Sequence, residues 1–294
     1  MWITTLYFAK YNVEKAKNCA DCIKRAILLE KGKMRREMRN IKLTVCYEGT
    51  RYSGWQKQKN TENTIQGKLE RLIGQITGEE VEIHGSGRTD AGVHALNQVT
   101  NVKIHSGIEP SALKDRLNEL LPEDIAVTGA VEADERFHAR LSAVRKTYQY
   151  RMYIGNSKPV FDRRFVAVFE GLSSDEKEKL DTEAMREAAG YLLGVHDFTS
   201  FCGNPSFKKS AVRRIDSLEI MENEAGDELT IRVTGDGFLQ NMVRITVGTL
   251  LEVGKGTMKP EEIKGVLAAK DRKMAGPMAP AKGLTLMGVE YMPS

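Results

Sequence analysis

The 294-residue sequence has few cysteines and prolines, and it contains no long apolar run. Its four cysteines, at positions 19, 22, 46 and 202, form no disulfide framework, which indicates a reducing compartment. No stretch approaches the roughly 20 apolar residues that a membrane-spanning helix needs. The first residues also lack the basic start and the cleavage site of a secretory signal. We therefore expect a cytoplasmic globular protein with no membrane association and about two domains.

The chain also lacks an overall excess of positive charge. It has 44 basic and 40 acidic residues, a net charge of +4, but residues 1–39 hold 10 basic and 4 acidic ones, which leaves 34 against 36 in residues 40–294. Net charge therefore gives no argument for a nucleic-acid partner.

Local charge does favour such a partner. Eight basic side chains within residues 134–164 alternate with aromatic ones, and Lys208, Lys209, Arg213 and Arg214 form a second patch that contains no acidic residue. The eight are Arg136, Arg140, Arg145, Lys146, Arg151, Lys158, Arg163 and Arg164. Cations mixed with aromatic rings suit a phosphate backbone beside unstacked bases. A solvated strand face is the alternative interpretation.

Motifs of metal, nucleotide and hydrolase chemistry are missing. None of the five histidines has His-x-x-x-His spacing, and the Cys19-x-x-Cys22 pair has no second pair to complete four zinc ligands. The Gly85-x-Gly87 pair lacks the third glycine of a dinucleotide fingerprint, and neither a Walker motif nor a Gly-x-Ser-x-Gly motif occurs. We expect no metal site and no cofactor.

The most informative segment is Gly-Ser-Gly-Arg-Thr-Asp-Ala-Gly-Val-His-Ala, which begins at Gly85. Its glycines permit unusual backbone conformations and close approach, and one cation, Arg88, stands two residues from one carboxylate, Asp90. We expect a strand to end near Ile83, so that the loop raises Asp90 to the rim of a sheet. An arginine neighbour lowers a carboxyl pKa by roughly 1–3 units, so Arg88 is expected to keep Asp90 ionised. A glycine-rich turn closed by a surface ion pair is the alternative. His94, near the end of this segment, is expected to be a turn residue and not a catalytic base.

With six further segments, this loop resembles the active-site loop of the TruA-type tRNA pseudouridine synthases. The segments are residues 52–56, 137–140, 146–150, 196–201, 238–244 and 279–286. They occur in the family's order, and the resemblance extends from about Asn40 to Tyr291. It implies an isomerase that converts uridine to pseudouridine at positions 38, 39 and 40 of the tRNA anticodon arm. It also implies tRNA rather than DNA as the partner, a homodimer and no cofactor.

The resemblance assigns roles to four residues. Asp90 corresponds to the nucleophile, and Arg244 to the arginine that pairs with it. Tyr148 corresponds to the tyrosine whose ring lies against the target base and whose hydroxyl is a candidate for proton transfer. Arg88 would contact phosphate or occupy the space that the flipped nucleotide leaves in the base stack. Addition of Asp90 to C6 of the base and assistance at C1′ of the ribose both stay open.

The expected fold is α+β, with two RRM-like or ferredoxin-like halves joined through an extended, mostly antiparallel sheet and an active-site cleft between them. Residues 40–143 would form the N-terminal domain with the catalytic loop, and residues 144–294 the C-terminal domain. Apolar–polar alternation predicts strands at 41–48, 98–104, 125–131, 146–154 and 284–291, and a hairpin around Gly226.

Helical periodicity predicts four main helices. The first begins with a capping box of Asn63 and Gln66, and the second lies between Pro110 and Pro122. The third ends at Gly194. The fourth begins near Phe238 and places Gln240 and Arg244 on one polar face.

Residues 1–39 match nothing in the family. We interpret them as a basic N-terminal extension, helical at residues 13–31, and our hypothesis is that the natural start is Met38.

The sequence is also compatible with two other functions. One is a catalytically idle tRNA-binding protein on the same scaffold, which would have no need for Asp90, Tyr148 and Arg244 together. The other is a hydrolase or phosphotransferase that uses Asp90. A magnesium site would need a second carboxylate, and none lies close to Asp90 in sequence.

Overall fold

The computed structural model describes residues 37–169, 180–204 and 209–292. The predicted helix at residues 13–31, with Cys19 and Cys22, lies outside these ranges, and so does Lys208. Within them, no helix is both long and apolar enough to cross a membrane.

The first half is a β-α-β-β-α-β unit. In chain order its elements are β1 (Arg39–Tyr47), α1 (Ile65–Thr77), β2 (Ile83–Gly85), β3 (His94–Ile104), α2 (Pro110–Leu120) and β4 (Ile125–Ala133). The strands lie side by side in the order β4, β1, β3, β2, and every pair is antiparallel. This is the ferredoxin-like arrangement that the sequence predicted.

The second half repeats this arrangement with additions. Its elements are β5 (Ala143–Tyr153), β6 (Ala167–Val168), α3 (Thr182–Gly190), β7 (Gly194–Asp197), β8 (Val212–Glu222), β9 (Glu228–Gly235), α4 (Met242–Gly254), α5 (Glu262–Ala269) and β10 (Leu284–Tyr291). The strand order is β10, β5, β9, β8, β7, again antiparallel, and β6 lies parallel beside β5. Strands β10, β5, β9 and β8 thus take the places of β4, β1, β3 and β2.

The two halves join where β3 and β10 pair in parallel. His94 and Ala95 of β3 pair with Thr285 and Leu286 of β10, whereas the other end of the same β3 edge pairs with β2. The α+β fold with one extended, mostly antiparallel sheet is therefore confirmed. Residues 86–93, called the Asp90 loop below, connect β2 to β3 where the neighbour of β3 changes from β2 to β10.

Four predictions of local structure were wrong, and two of them concern helix ends. Helix α1 is capped by Thr64, whose side chain accepts a hydrogen bond from the Gly67 amide, because the buried Gln66 side chain bonds to Gln56 and Glu70 instead. Helix α3 ends at Gly190, and Gly194, with a φ of +90°, begins β7.

The other two errors concern the start of α4 and His94. Asn241 adopts the left-handed conformation, with a φ of +59°, directly before the helix begins at Met242. Gln240 therefore lies outside α4 and shares no helix face with Arg244. His94, taken from the sequence as a turn residue, is the first residue of β3.

Close packing of α4 fixes the segment that follows α5. A Cβ atom on Gly248 would overlap the carbonyl oxygen of Pro277, and a Cβ on Gly276 would lie 2.7 Å from the Cα of Thr249. Only glycine permits this approach at either position. The contact brings Ala279 beside Arg244, where the Ala279 amide donates to the Arg244 carbonyl oxygen at 3.1 Å.

Gly248→Ala is therefore expected to lower the free energy of unfolding by about 2 kcal/mol or more, since overpacking a core costs roughly 1–3 kcal/mol. Gly265→Ala, in α5, is the matched control, because nothing beyond its own helix backbone and chain neighbours lies within 4 Å of the Cβ it would add. It should be neutral or stabilise the protein by roughly 0.5–1 kcal/mol. Denaturant unfolding measures both variants, and equal stabilities would contradict the packing argument.

Candidate active site

The Asp90 loop is anchored by the buried residue before Asp90. The carbonyl oxygen of Thr89 accepts a hydrogen bond from the Trp55 amide at 3.0 Å, and its hydroxyl bonds to that of Tyr47 at 2.8 Å. Gly54 has a φ of +92°, and a Cβ there would lie 2.7 Å from the Thr89 carbonyl oxygen. With Thr89 held inward, the Asp90 side chain stays 34% exposed and accessible to a ligand.

The start of the loop is held by buried polar groups on β3. The Ser86 hydroxyl donates to the Gln98 side-chain oxygen at 2.5 Å, and the Ser86 amide donates to the Val99 carbonyl oxygen at 2.7 Å. The Gln98 amide group donates to the Gly87 carbonyl oxygen at 2.9 Å. These bonds fix the path of the backbone before Asp90 is reached.

Arg244 faces Asp90 from the first turn of α4. Its Nη1 lies 3.9 Å from Oδ2 of Asp90. The guanidinium is held by two further groups, since Nε donates to the Ala279 carbonyl oxygen at 2.7 Å and Nη1 to Oδ1 of Asn241 at 3.4 Å. Because the Arg244 side chain is only 11% exposed, its charge is poorly screened by water.

Burial and Arg244 act in opposite directions on the Asp90 carboxyl. Partial burial raises its pKa above the ordinary value, and the Arg244 charge lowers it by a smaller amount. The expectation that Arg88 lowers this pKa was wrong. Arg88 is exposed, its Nε donates to the Gln56 side-chain oxygen at 2.9 Å, and Arg244 is the cation that acts on Asp90.

Tyr148 brings an aromatic ring from β5. The ring is buried and meets Phe238 edge-on, with 5.3 Å between the ring centroids. Burial, helped by the neighbouring Tyr47 and Asp90, raises the pKa of the Tyr148 hydroxyl. The neutral phenol is therefore the form present at neutral pH, and Asp90 is close enough for its charge to contribute.

The segment from Ala279 to Gly283 lies between α4 and the Asp90 loop. The Tyr150 hydroxyl donates to the Pro280 carbonyl oxygen at 2.9 Å, and Gly283 packs against the Tyr150 ring. Gly92, with a φ of +80°, brings the end of the Asp90 loop against Ala281. The sequence shows these segments as motifs, but it does not show the support that Asn241 and Ala279 give to Arg244. The only local signal was an asparagine, which tolerates a positive φ, directly before a helix.

The arrangement suits nucleophilic or proton-transfer chemistry. A half-exposed carboxylate, a buried guanidinium and a neutral phenol come together from the Asp90 loop, α4 and β5. Among the residues that the structure describes, no group of three or more His, Cys, Asp or Glu side chains could hold a metal ion. Arg88 lies at the exposed side of the same loop, where it can meet a ligand that enters from solvent.

Comparison with known families gives one match that covers most of the chain. The family described as tRNA pseudouridine synthase matches residues 43–141 and 188–292. The first range includes Arg88 and Asp90, and the second includes Arg244, whereas Tyr148 falls between the two.

Similar proteins of known name agree with this match. A tRNA pseudouridine synthase A 2 of Bacillus cereus is 46% identical over 254 residues, which are 86% of this chain and all of that protein. The tRNA pseudouridine synthase A proteins of Clostridium acetobutylicum and Caldicellulosiruptor bescii are 44% and 45% identical, each over 86% of this chain and its own full length.

Solved structures are less similar. A Cbf5-Nop10-Gar1 complex matches with a TM-score of 0.34 and 11% identity, covering 84% of this chain and 48% of the matched chain. An archaeal box H/ACA sRNP Nop10-Cbf5 complex matches with a TM-score of 0.32 and 12% identity, covering 83% and 46%. With TM-scores this low, these two structures give no information about the site.

Removal of the Arg244 charge should raise the Asp90 pKa further. In Arg244→Met the opposing charge is lost while burial remains, so the carboxyl should titrate at higher pH than in the wild type. Arg244→Lys is the control that retains a positive charge without the planar guanidinium fork, and its Asp90 pKa should lie between those of the wild type and Arg244→Met. NMR titration of the Asp90 side-chain carbon measures all three. An Asp90 pKa that is unchanged or lower in Arg244→Met would show that the two groups are not coupled.

Proposed function

This chain belongs to the tRNA pseudouridine synthase family, and from that premise we propose that Asp90 is the nucleophile with which it isomerises uridine to pseudouridine in tRNA. The observation that supports the proposal is the placement of Asp90, half-exposed, within 3.9 Å of the buried Arg244 guanidinium. A carboxylate in this position is accessible to a ligand and faces one fixed positive charge, that of Arg244.

The isomerisation balances without an oxidant or a reductant. The bond between N1 of uracil and C1′ of the ribose breaks, the uracil turns, and a bond between C5 and C1′ forms. C5 then loses a proton and N1 gains one, so the atoms and electrons of substrate and product are the same. The chain has to supply a nucleophile, a surface that retains the detached uracil and a carrier for that proton.

Asp90 acts in its ionised form. Addition at C6 of the base and attack at C1′ both need a carboxylate lone pair, so either route depends on deprotonation. Partial burial strengthens the carboxylate as a nucleophile by removing water from it, and Arg244 keeps enough of it ionised. The bonds from Arg244 to Ala279 and Asn241 fix the direction from which this charge acts.

Tyr148 is proposed to hold the uracil and to carry the proton. Its ring, supported edge-on by Phe238, offers an apolar surface for the base. Because its pKa is raised, the hydroxyl enters the reaction protonated. A neutral hydroxyl can give its proton to N1 and take the proton from C5, which leaves the protein's own proton count unchanged.

Arg88 is proposed to act when the target nucleotide leaves its stack. Extrusion of a paired base costs a few kcal/mol, and the exposed Arg88 guanidinium can offset this by contacting a phosphate or filling the space the base vacates. The hydrogen bond to Gln56 keeps the Arg88 side chain beside the Asp90 loop in the free protein.

The resemblance of the motifs extends the proposal in three respects. The targets would be uridines 38, 39 and 40 of the anticodon arm, the enzyme would act as a homodimer, and it would work in the cytoplasm on tRNA and not on DNA. Sequencing-based mapping of pseudouridine in an unmodified tRNA transcript tests the targets, and light scattering tests the dimer.

Asp90→Asn should abolish pseudouridine formation in that transcript, with a rate at least about a thousandfold below wild type, while tRNA binding is retained. The raised pKa also predicts the effect on stability. Because folding raises this pKa, the ionised Asp90 carboxylate destabilises the fold at pH 7, so the melting temperature of Asp90→Asn should be equal or higher. Asp115→Asn, on an exposed helix position, is the matched control and should keep wild-type turnover. Residual turnover of Asp90→Asn within tenfold of wild type would contradict the nucleophile assignment.

Tyr148→Phe should bind tRNA normally but turn over at least about a hundredfold more slowly, because proton transfer by a positioned side chain is worth roughly 10²–10⁴-fold. The ring and its contact with Phe238 remain in this variant. Single-turnover assays at saturating enzyme measure the rate separately from affinity. Wild-type turnover would restrict Tyr148 to holding the base.

A further inference from the structure

The structure divides the basic run of residues 134–164 into two kinds of side chain. Three of its arginines are paired with carboxylates: Arg145 with Asp216, Arg151 with Glu228 and Arg164 with Glu48. These charges are neutralised within the protein. Among the described cations of this run that have no carboxylate partner, Lys146 is the most buried.

Lys146 lies on β5 and reaches the start of the Asp90 loop. Its Nζ donates to the Ser86 carbonyl oxygen at 2.6 Å, and a Cβ on Gly87 would lie 3.3 Å from the same nitrogen. The charged groups that act on Lys146 are Arg140, in the loop after β4, and Arg213, on β8, and both are cations. Burial and these two charges lower the pKa of Lys146 to about 8.

Arg140 and Arg213 are not neutralised by carboxylates in the described part of the chain. Arg140 is exposed, and Nη1 of Arg213 donates only to the backbone oxygens of Ser210 and Val212, at 3.0 and 2.6 Å.

Strand register brings the three cations together. Lys146 and Ile215, which lies two residues after Arg213 on β8, both pair with Gly235 of β9. Ala139, beside Arg140, accepts a hydrogen bond from the Tyr291 hydroxyl on β10, two positions from Val289, the partner of Lys146. Within the described residues no carboxylate pairs with any of the three. Such a cluster is unfavourable in the free protein, and an anion between the three groups would relieve it.

We propose that Arg140, Lys146 and Arg213 form a subsite for a backbone phosphodiester of the substrate RNA, beside the start of the Asp90 loop. The inference rests on the proposed function, because the RNA is the ligand. Two arginines and an ammonium can donate together to the unesterified oxygens of one phosphate. Contacts of this kind fix the position of a strand without reading its sequence.

Lys146 connects this subsite to the reacting group. The same ammonium that would face the phosphate holds the Ser86 carbonyl oxygen, four residues before Asp90. The Lys146 side chain would therefore contact both the bound RNA strand and the Asp90 loop, and it would fix the position of one relative to the other. Lys146 is thus a positioning residue and not a catalytic one.

The subsite predicts a pH dependence of RNA affinity. A phosphodiester prefers the charged form of Lys146, so affinity should be full below pH 8 and should fall as the pH rises through about 8. The charged groups that act on Lys146 are Arg140 and Arg213, and its cross-strand neighbours Gly235 and Val289 carry no charge. Tyr291 lies beside the same Ser86, and burial raises its pKa, which moves its titration away from pH 8.

The test uses the full chain carrying Asp90→Asn, so that binding is measured without turnover, with an unmodified tRNA transcript across a salt series. Adding Arg140→Ala or Arg213→Ala should weaken binding about tenfold at low salt and reduce the slope of log affinity against log salt by about 1. Adding Lys146→Arg should retain affinity at pH 7 and abolish its fall above pH 8. Lys259→Ala, an exposed lysine beyond the far end of α4, is the matched control and should change neither affinity nor slope.

The two arginine variants remove half-exposed or exposed side chains and should fold. If they show the same affinity and the same salt slope as the parent, the subsite proposal is overturned. So would equally strong binding of poly-glutamate, which would indicate a general anion surface. A wild-type chain that binds the transcript as described but makes no pseudouridine would contradict the proposed function and leave the subsite supported, whereas absence of tRNA binding would contradict both.

Discussion

The burial of the Asp90 carboxylate against Arg244 is the interaction on which the rest of the site depends. A carboxyl group drawn partly out of water is favoured in its neutral form, whereas the role proposed for Asp90 requires the ionised form. The Arg244 charge, 3.9 Å away, opposes that tendency. Burial lowers the pKa of Arg244 itself, and Asp90 opposes this in turn, so each group supports the charged form of the other. The pair is useful only while both members are held in place.

The fold holds them from opposite halves. Asp90 follows β2 and precedes β3 in the first half, whereas Arg244 begins α4 in the second half. The parallel pairing of β3 with β10 joins the two sheets beside the loop, and close packing of α4 at Gly248 brings the Ala279 carbonyl oxygen to Arg244. Neither half alone contains the pair. Two similar β-α-β-β-α-β units thus produce a site at the junction between them.

The sequence predicted most of the elements, because alternation and helical periodicity directly reflect which face is buried. Strand β1, helices α1 and α2, the β8–β9 hairpin and strand β10 follow from such patterns. The left-handed Asn241 and the Thr64 cap could not be predicted, since each depends on contacts from distant segments. Proximity in sequence also suggested the wrong cation: Arg88 lies two residues from Asp90 but bonds to Gln56, whereas Arg244 lies 154 positions along the chain. The motifs predict Asp90, Arg244, Tyr148 and Arg88 as site residues, and only the fold gives their positions relative to one another.

The most direct test of the account is the pH dependence of single-turnover pseudouridine formation in wild type and in Arg244→Met, at saturating enzyme. If Arg244 keeps Asp90 ionised, the acidic limb of the profile should lie at higher pH in the variant, and part of the lost rate should return as the pH is raised. An acidic limb at the same pH in both proteins, with an equal loss of rate at every pH, would contradict the coupling of Arg244 to Asp90.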